Sequence, residues 1–144
     1  MSGGKSSQFC NDMLKLWFNA VGIPNLADNA ATSPLTTIYV SLHTADPGSG
    51  GAQTTSEAAY SGYTRVAVAR TAAGWTVTGS SVSPASVILF PQCTSGTETE
   101  TFAAAGTAAS GAGKILYRGP ISPVLAVSPG INPEITVATA LTES

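Results

Sequence analysis

His43 is the chain's only histidine, and Asp46 follows it three residues later in SLHTADPGSGG, residues 41–51. A histidine beside an acid is the pairing used in general-base catalysis, and either side chain can ligate a metal. Both uses demand further partners. A catalytic imidazole needs a nucleophile or a substrate, and a metal-bound one needs two or three more ligands. One histidine and two distant cysteines, Cys10 and Cys93, cannot build such a set. Asp46-Pro47-Gly48 reads instead as a turn whose carboxylate accepts backbone N–H groups. His43, at the end of a strand, is expected to be held in the same way.

Other candidate chemistry is weaker. GTAASGAGK, residues 106–114, shares only its Gly113-Lys114 ending with a phosphate loop. Ala108 stands where the first glycine belongs, Ile115 replaces the magnesium-binding hydroxyl, and a strand pattern follows where a helix should, so it reads as a flexible hairpin. Serine is abundant, but no G-x-S-x-G elbow joins a strand to a helix. Glu98 and Glu100 share one face of a strand in TETETF, and a solvated strand edge explains them better than acid–base work. No catalytic, metal-binding or cofactor-binding residue is expected, and the chain reads as a non-enzyme without cofactors.

Composition points the same way. Charged residues form only 10% of the 144 residues, against about 25% in an ordinary soluble domain. Ser, Thr, Gly and Pro supply the remaining polarity and the turns, on a surface suited to packing against other proteins. The net charge of −2 and six scattered basic residues argue against nucleic-acid binding. No apolar run reaches the roughly 20 residues of a membrane span. Asn11, Asp12 and Lys15 interrupt the N-terminal apolar stretch, so no secretion signal is read there. The expectation is folding in a cytoplasm, with Cys10 and Cys93 as buried free thiols.

One stretch carries a helical period: Phe9, Met13, Trp17 and Val21 recur every fourth residue, flanked by Cys10, Leu14 and Phe18. Ser6 or Ser7 can cap it, and Gly22-Ile23-Pro24 is the expected stop. Its wide apolar stripe must be covered by the chain's own β core, by a neighbouring subunit, or by both. After a loop over residues 24–35 the period becomes two. TIYVSLH, YTRVAVAR, GWTVTG, ASVILFP, ETFAAA, KILYRG, PVLAVS and EITVATAL give about eight strands, separated by turns such as DPGSGG, VSP and SPG. The fold expected is mainly β, an antiparallel β-sandwich or jelly-roll-like domain with one N-terminal α-helix. Residues 1–35 form a helical arm and loop, and residues 36–144 one β-sandwich unit.

Taken in order, these segments resemble a widespread family of small bacteriophage virion proteins. The likeness rests on Leu42 to Gly48 (LHTADPG, including His43, Asp46 and Pro47), Glu57, Tyr63-Thr64-Arg65, Phe90-Pro91 and Gly113 to Gly119, and spans roughly residues 36–142. Where the family pattern often has Asn before its acid and a glycine-rich run after it, this chain has Ser56 and Ala58-Ala59-Tyr60. Members are commonly labelled tail fibre, minor tail or head-decoration proteins. The resemblance therefore implies a virion structural protein with no catalytic residues. Capsid decoration (cement) is the preferred reading, because the chain is short and lacks a repetitive shaft; a tail fibre or minor tail protein in host attachment is the alternative. The partners expected are the major capsid protein or other virion proteins and further copies of the chain, through Phe9, Met13, Trp17 and Phe18. Under the attachment alternative, Tyr60, Tyr63 and Trp75 would be exposed stacking residues, although core packing is the better reading of Trp75. Arg65 is expected to pair with Glu57 or Asp46.

Overall fold

The computed structural model describes residues 7–23 and 34–143, without the side chains of Ser7 and Phe9. The expected Ser6 or Ser7 cap, the Phe9 contact and most of the 24–35 loop lie outside the described residues. The fold is of the mainly β class expected, with one helix among the described residues. In chain order the elements are α1 (Ser7–Asn19), β1 (Thr37–His43), β2 (Val66–Ala69), β3 (Trp75–Thr78), β4 (Ser81–Pro84), β5 (Ile88–Leu89), β6 (Glu98–Gly106), β7 (Ile115–Val127), β8 (Glu134–Ile135) and β9 (Leu141–Thr142). They gather into two compact units, each built from separated stretches of chain.

The first unit holds α1 with residues 69–87 and 136–143. Its sheet has the order β3-β4-β9, with Trp75 opposite Pro84 and Val82 opposite both Val77 and Leu141. Cys10, Leu14 and Phe18 point one side of α1 at this sheet and are buried with Trp75 and Val82. The Phe18 and Trp75 rings meet edge to face at 4.7 Å, the arrangement the ring quadrupoles favour. Phe18 is thus core in its own unit. Trp17, at the edge of that buried stripe, and Val21, just past the end of the helix, stay 39% and 51% exposed.

The helix end corrects the sequence reading. Helical structure stops at Asn19, and Ala20, not Gly22, takes the left-handed backbone with φ of 56°. α1 has no basic residue in its last turn. Arg70 supplies one from a distant part of the chain, donating to the carbonyls of Leu16 and Trp17 and, at 2.9 Å, to that of Leu35. A buried guanidinium here satisfies carbonyls that lack helical partners and opposes the negative end of the helix dipole.

The second unit comprises residues 38–68 and 88–135. A four-stranded sheet of order β2-β1-β6-β7 is joined by a small β5-β8 pair. β1 runs antiparallel to β6 from Tyr39 opposite Gly106 to His43 opposite Phe102, and β6 and β7 form the hairpin around residues 107–114. Ile38, Val40, Leu42, Ile88, Phe90, Val127 and Ile135 are its apolar core.

Several strands differ from their sequence-based forms. KILYRG and PVLAVS join into one long strand, β7, because register shifts at residues 100–102 and 105–106 of β6 let the pairing run past Pro120. EITVATAL divides into β8 and β9, which pair with different strands. VSP, read as a turn, is in β4, where Ser81 and Val82 each pair on both sides.

Left-handed backbone at a residue with a Cβ is unfavourable by roughly 1–2 kcal/mol, and glycine escapes that strain. Ala20→Gly is therefore expected to stabilise the protein by up to ~1 kcal/mol, read as a rise in melting temperature; a fall would mean that the helix end is not held as described.

Candidate functional site

The residues singled out in the sequence around Leu42 to Arg65 converge in the second unit. β1 ends at His43, whose backbone forms an isolated antiparallel bridge with Glu57. Ala58 N–H donates to Leu42 O at 2.9 Å and Thr44 N–H to Ser56 O at 2.9 Å, so the loop from residue 44 to 57 closes back on its own strand. Ser56, at the position where the resembling family often carries Asn, has φ of 52°. Asn tolerates that left-handed geometry better than Ser, which gives the family pattern a backbone reason.

Glu57 and Arg65 form the centre. Arg65 Nε lies 2.6 Å from Glu57 Oε1, and Nη2 donates to Oε2 at 2.8 Å, a two-pronged pair. The Arg65 side chain is 2% exposed. Its remaining donors reach the hairpin between β6 and β7, with Nη1 on Ala108 O at 2.9 Å and Nη2 on Gly111 O at 2.7 Å. Tyr63 O–H donates to Glu57 Oε1 at 3.1 Å and accepts Leu42 N–H at 3.1 Å. Hydrogen bonding to Glu57 outweighs burial and raises the guanidinium's pKa, so Arg65 stays charged. Burial and the neighbouring Glu57 push the Tyr63 hydroxyl well above the ordinary tyrosine range.

Gln53 is a second lock that the sequence did not reveal. Fully buried, it donates from Nε2 to Tyr39 O at 3.2 Å and accepts Ala108 N–H at Oε1, 3.0 Å. Gly106 and Gly113 press against this amide: a Cβ on either would come within 2.1 Å of a Gln53 atom. The hairpin expected to be flexible is thus tied by Arg65 and Gln53 together. A polar residue in a loop carries no sequence mark of this role, because its partners are backbone groups far along the chain.

The pair that opened the sequence reading separates. Asp46 Oδ1 accepts Gly48 N–H at 2.8 Å, closing its own turn, and lies 2.8 Å from Arg118 Nε. Asp46 thus pairs with Arg118 and Glu57 with Arg65. His43 turns inward and is fully buried. Its Nδ1 is 2.8 Å from Thr55 O, which can only accept, so the proton sits on Nδ1 and Nε2 accepts the Ser41 hydroxyl at 2.9 Å. Burial, the largest effect, lowers the imidazole pKa and keeps the ring neutral. A serine hydroxyl on an imidazole has the spacing of an activated nucleophile. Here both side chains are sealed from solvent, and the contact satisfies two buried polar groups.

Glu98 and Glu100 are not on a solvated edge. β6 lies inside its sheet, and Glu98 Oε1 accepts Ala59 and Tyr60 N–H at 2.9 Å each. Glu100 is fully buried, and neither carboxyl oxygen has a hydrogen-bond partner among the described residues. Burial first, and then neighbouring Glu98, pushes its pKa up to about 8. Tyr60 and Trp75, the stacking residues of the attachment alternative, are 4% and 3% exposed, which places Trp75 in the core as preferred, and Tyr60 O–H donates to Pro91 O at 2.9 Å. Their ring area fills the two cores. Cys10 and Cys93 are buried free thiols, and among the described residues no group of three His, Cys, Asp or Glu side chains could hold a metal ion.

Two outcomes are expected. Arg65→Met leaves Glu57 buried beside an apolar chain and should destabilise the fold by about 3–5 kcal/mol; Arg65→Lys should rescue little, since one ammonium cannot serve both carboxylate oxygens and two carbonyls. An unchanged melting temperature in Arg65→Met would contradict this. Glu100, with a raised folded pKa, contributes stability fully present below the unfolded value near 4.5 and lost as pH rises through about 8. Thermal melts from pH 5 to 9 should show that loss in the native chain and a flatter profile in Glu100→Gln; equal slopes would show that Glu100 does not titrate as described.

A search of curated proteins finds no match. A family described as podophage GP4 fiber I protein gp80 matches residues 19–141, a span that contains both units' strands and the whole Glu57–Arg65 network. The chain belongs to the podophage GP4 fiber I protein gp80 family, a family of phage virion structural proteins.

Proposed function

We propose that the chain is a non-enzymatic subunit associated with the phage tail fibre, and that it holds its place by burying apolar surface against neighbouring virion subunits. The observation that carries this reading is the match of residues 19–141 to a family described by its fiber protein. Its polar groups support a structural role. The buried ones described above are largely turned inward onto the chain's own backbone, as Arg65, Arg70, Gln53 and His43 are. Trp17 and Val21, next to half-buried Met13, are among the exposed apolar residues of the helical unit, with Leu35, Val87 and Val137. Of the assembly contacts expected from sequence, Trp17 and Met13 keep that role here, and Phe18 serves the core beneath them. A hydrophobic pair beside few charges is the composition of an interface centre.

Capsid decoration is the second reading, favoured by the absence of a repetitive shaft pattern in these residues. The two readings differ in where the subunit sits and in how many copies a particle carries. Imaging intact particles by electron cryo-microscopy is expected to place the subunit's density on the tail apparatus at low copy number. Density spread over the head shell at capsid stoichiometry would overturn the fibre reading in favour of decoration. Val21→Glu should leave the isolated chain within about 0.5 kcal/mol of its native stability, as exposed substitutions do, and abolish its incorporation into particles. Normal incorporation would remove the helix face from the contact.

A further inference from the structure

Arg118 differs from the other two arginines. Arg65 and Arg70 send their donors to carboxylate and carbonyl acceptors inside their units. Arg118, on β7, makes one ion pair, with Nε 2.8 Å from Asp46 Oδ1 but without the geometry of a hydrogen bond, and its two Nη groups have no partner among the described residues. Asp46 is itself fixed, because the same oxygen accepts Gly48 N–H. The guanidinium is therefore aimed while its outer fork is left open.

Arg118 lines a cleft of about 230 Å³ between residues 48, 49 and 51 of the Pro47-Gly48 turn and residues 115–118 of β7. β7 is the last strand of its sheet, so its outer backbone edge faces no further strand there. Its lining residues join Ser49 and two glycines of the turn to Leu116 and Tyr117 of this edge strand. Exposed Lys114 stands just before the lining segment. With Arg118 it outweighs Asp46 by one positive charge, in a chain whose net charge is −2. Two parallel N–H donors on a planar cation match the two oxygens of a carboxylate. A cleft with both hydrogen-bonding and apolar walls, and room for one six-membered ring, suits a hydroxylated ring better than an extended chain.

We propose that this cleft binds the carboxylate of an acidic sugar, a uronate ring, with Arg118 gripping the carboxylate through its Nη groups. The inference does not depend on where in the particle the subunit sits. The test is a titration of the full ¹⁵N-labelled chain with D-glucuronate, followed by amide shifts. Saturable changes are expected at Gly48, Ser49, Gly51 and residues 115–118, with affinity at least tenfold weaker in Arg118→Met and intermediate in Arg118→Lys, which keeps the charge and loses the fork. Glucose, lacking the carboxylate, should give no saturable change, and N-acetylglutamate should bind at least tenfold more weakly than glucuronate. Absence of saturation by glucuronate would overturn the proposal, as would undiminished binding in both Arg118 variants with their other amide signals unchanged. Equal binding of N-acetylglutamate would overturn the sugar assignment.

Discussion

The buried ion pair between Arg65 and Glu57 is the interaction on which the second unit depends. An ion pair removed from water gains only when its geometry is good and its remaining hydrogen-bonding capacity is used. Here both conditions are met, because the guanidinium spans two carboxylate oxygens and two carbonyls while Tyr63 completes the carboxylate. The consequence is topological. Residues 44–57, the strand after Tyr63 and the β6–β7 hairpin are far apart in sequence, and one side chain fixes all three. Gln53 repeats the device with an amide, and the two glycines that press on it allow the backbone to come that close.

Arg70 does the corresponding work in the other unit. A single helix of 13 residues has little stability in water, and this one lacks favourable charges at either end. Its end is held by a guanidinium delivered from residue 70, while Phe18 and Trp75 lock its apolar side to the sheet. A chain with so few charges has thus placed two of its three arginines inside, as cross-links between backbone segments. What is left at the surface is weakly charged and partly apolar, in keeping with life inside an assembled particle. Glu100 is the exception to this economy of satisfied polar groups, a buried carboxyl kept near neutral by its surroundings.

Much of this was legible in the residues. The switch of hydrophobic period from four to two near residue 36 marked the single helix and the strands, because side-chain burial on one face leaves that periodic trace. The order of LHTADPG, Glu57, Tyr63 and Arg65 suggested a phage structural family, and Leu42, His43, Glu57, Tyr63 and Arg65 do meet in space, while Asp46 turns to Arg118. What failed has a common cause. Glu100 was read as solvated because β6 could not be known to lie inside a sheet. Tyr60, exposed only under the attachment alternative, was hidden for the same reason, whereas Trp75 is in the core that its sequence reading favoured. β4 was hidden by a Ser-Pro pattern that ordinarily marks a turn, and two prolines in β7, Pro120 and Pro123, concealed a continuous strand.

The sequence by itself determined the class: mainly β with one helix, few charges, two unpaired cysteines, and an isolated histidine without the companions that chemistry needs. These are local or additive properties, carried by composition and by short periodicity. The tertiary structure decided the partners. It gave Arg65 to Glu57 and Arg118 to Asp46, turned His43 onto Ser41 and the Thr55 carbonyl, and sent Arg70 to the helix end. Apart from the imidazole nitrogen that accepts the Ser41 hydroxyl, each of these acceptors is a backbone carbonyl or a lone carboxylate that any donor could use, so proximity alone selects among them. Only the folded sheet order brings those residues within reach.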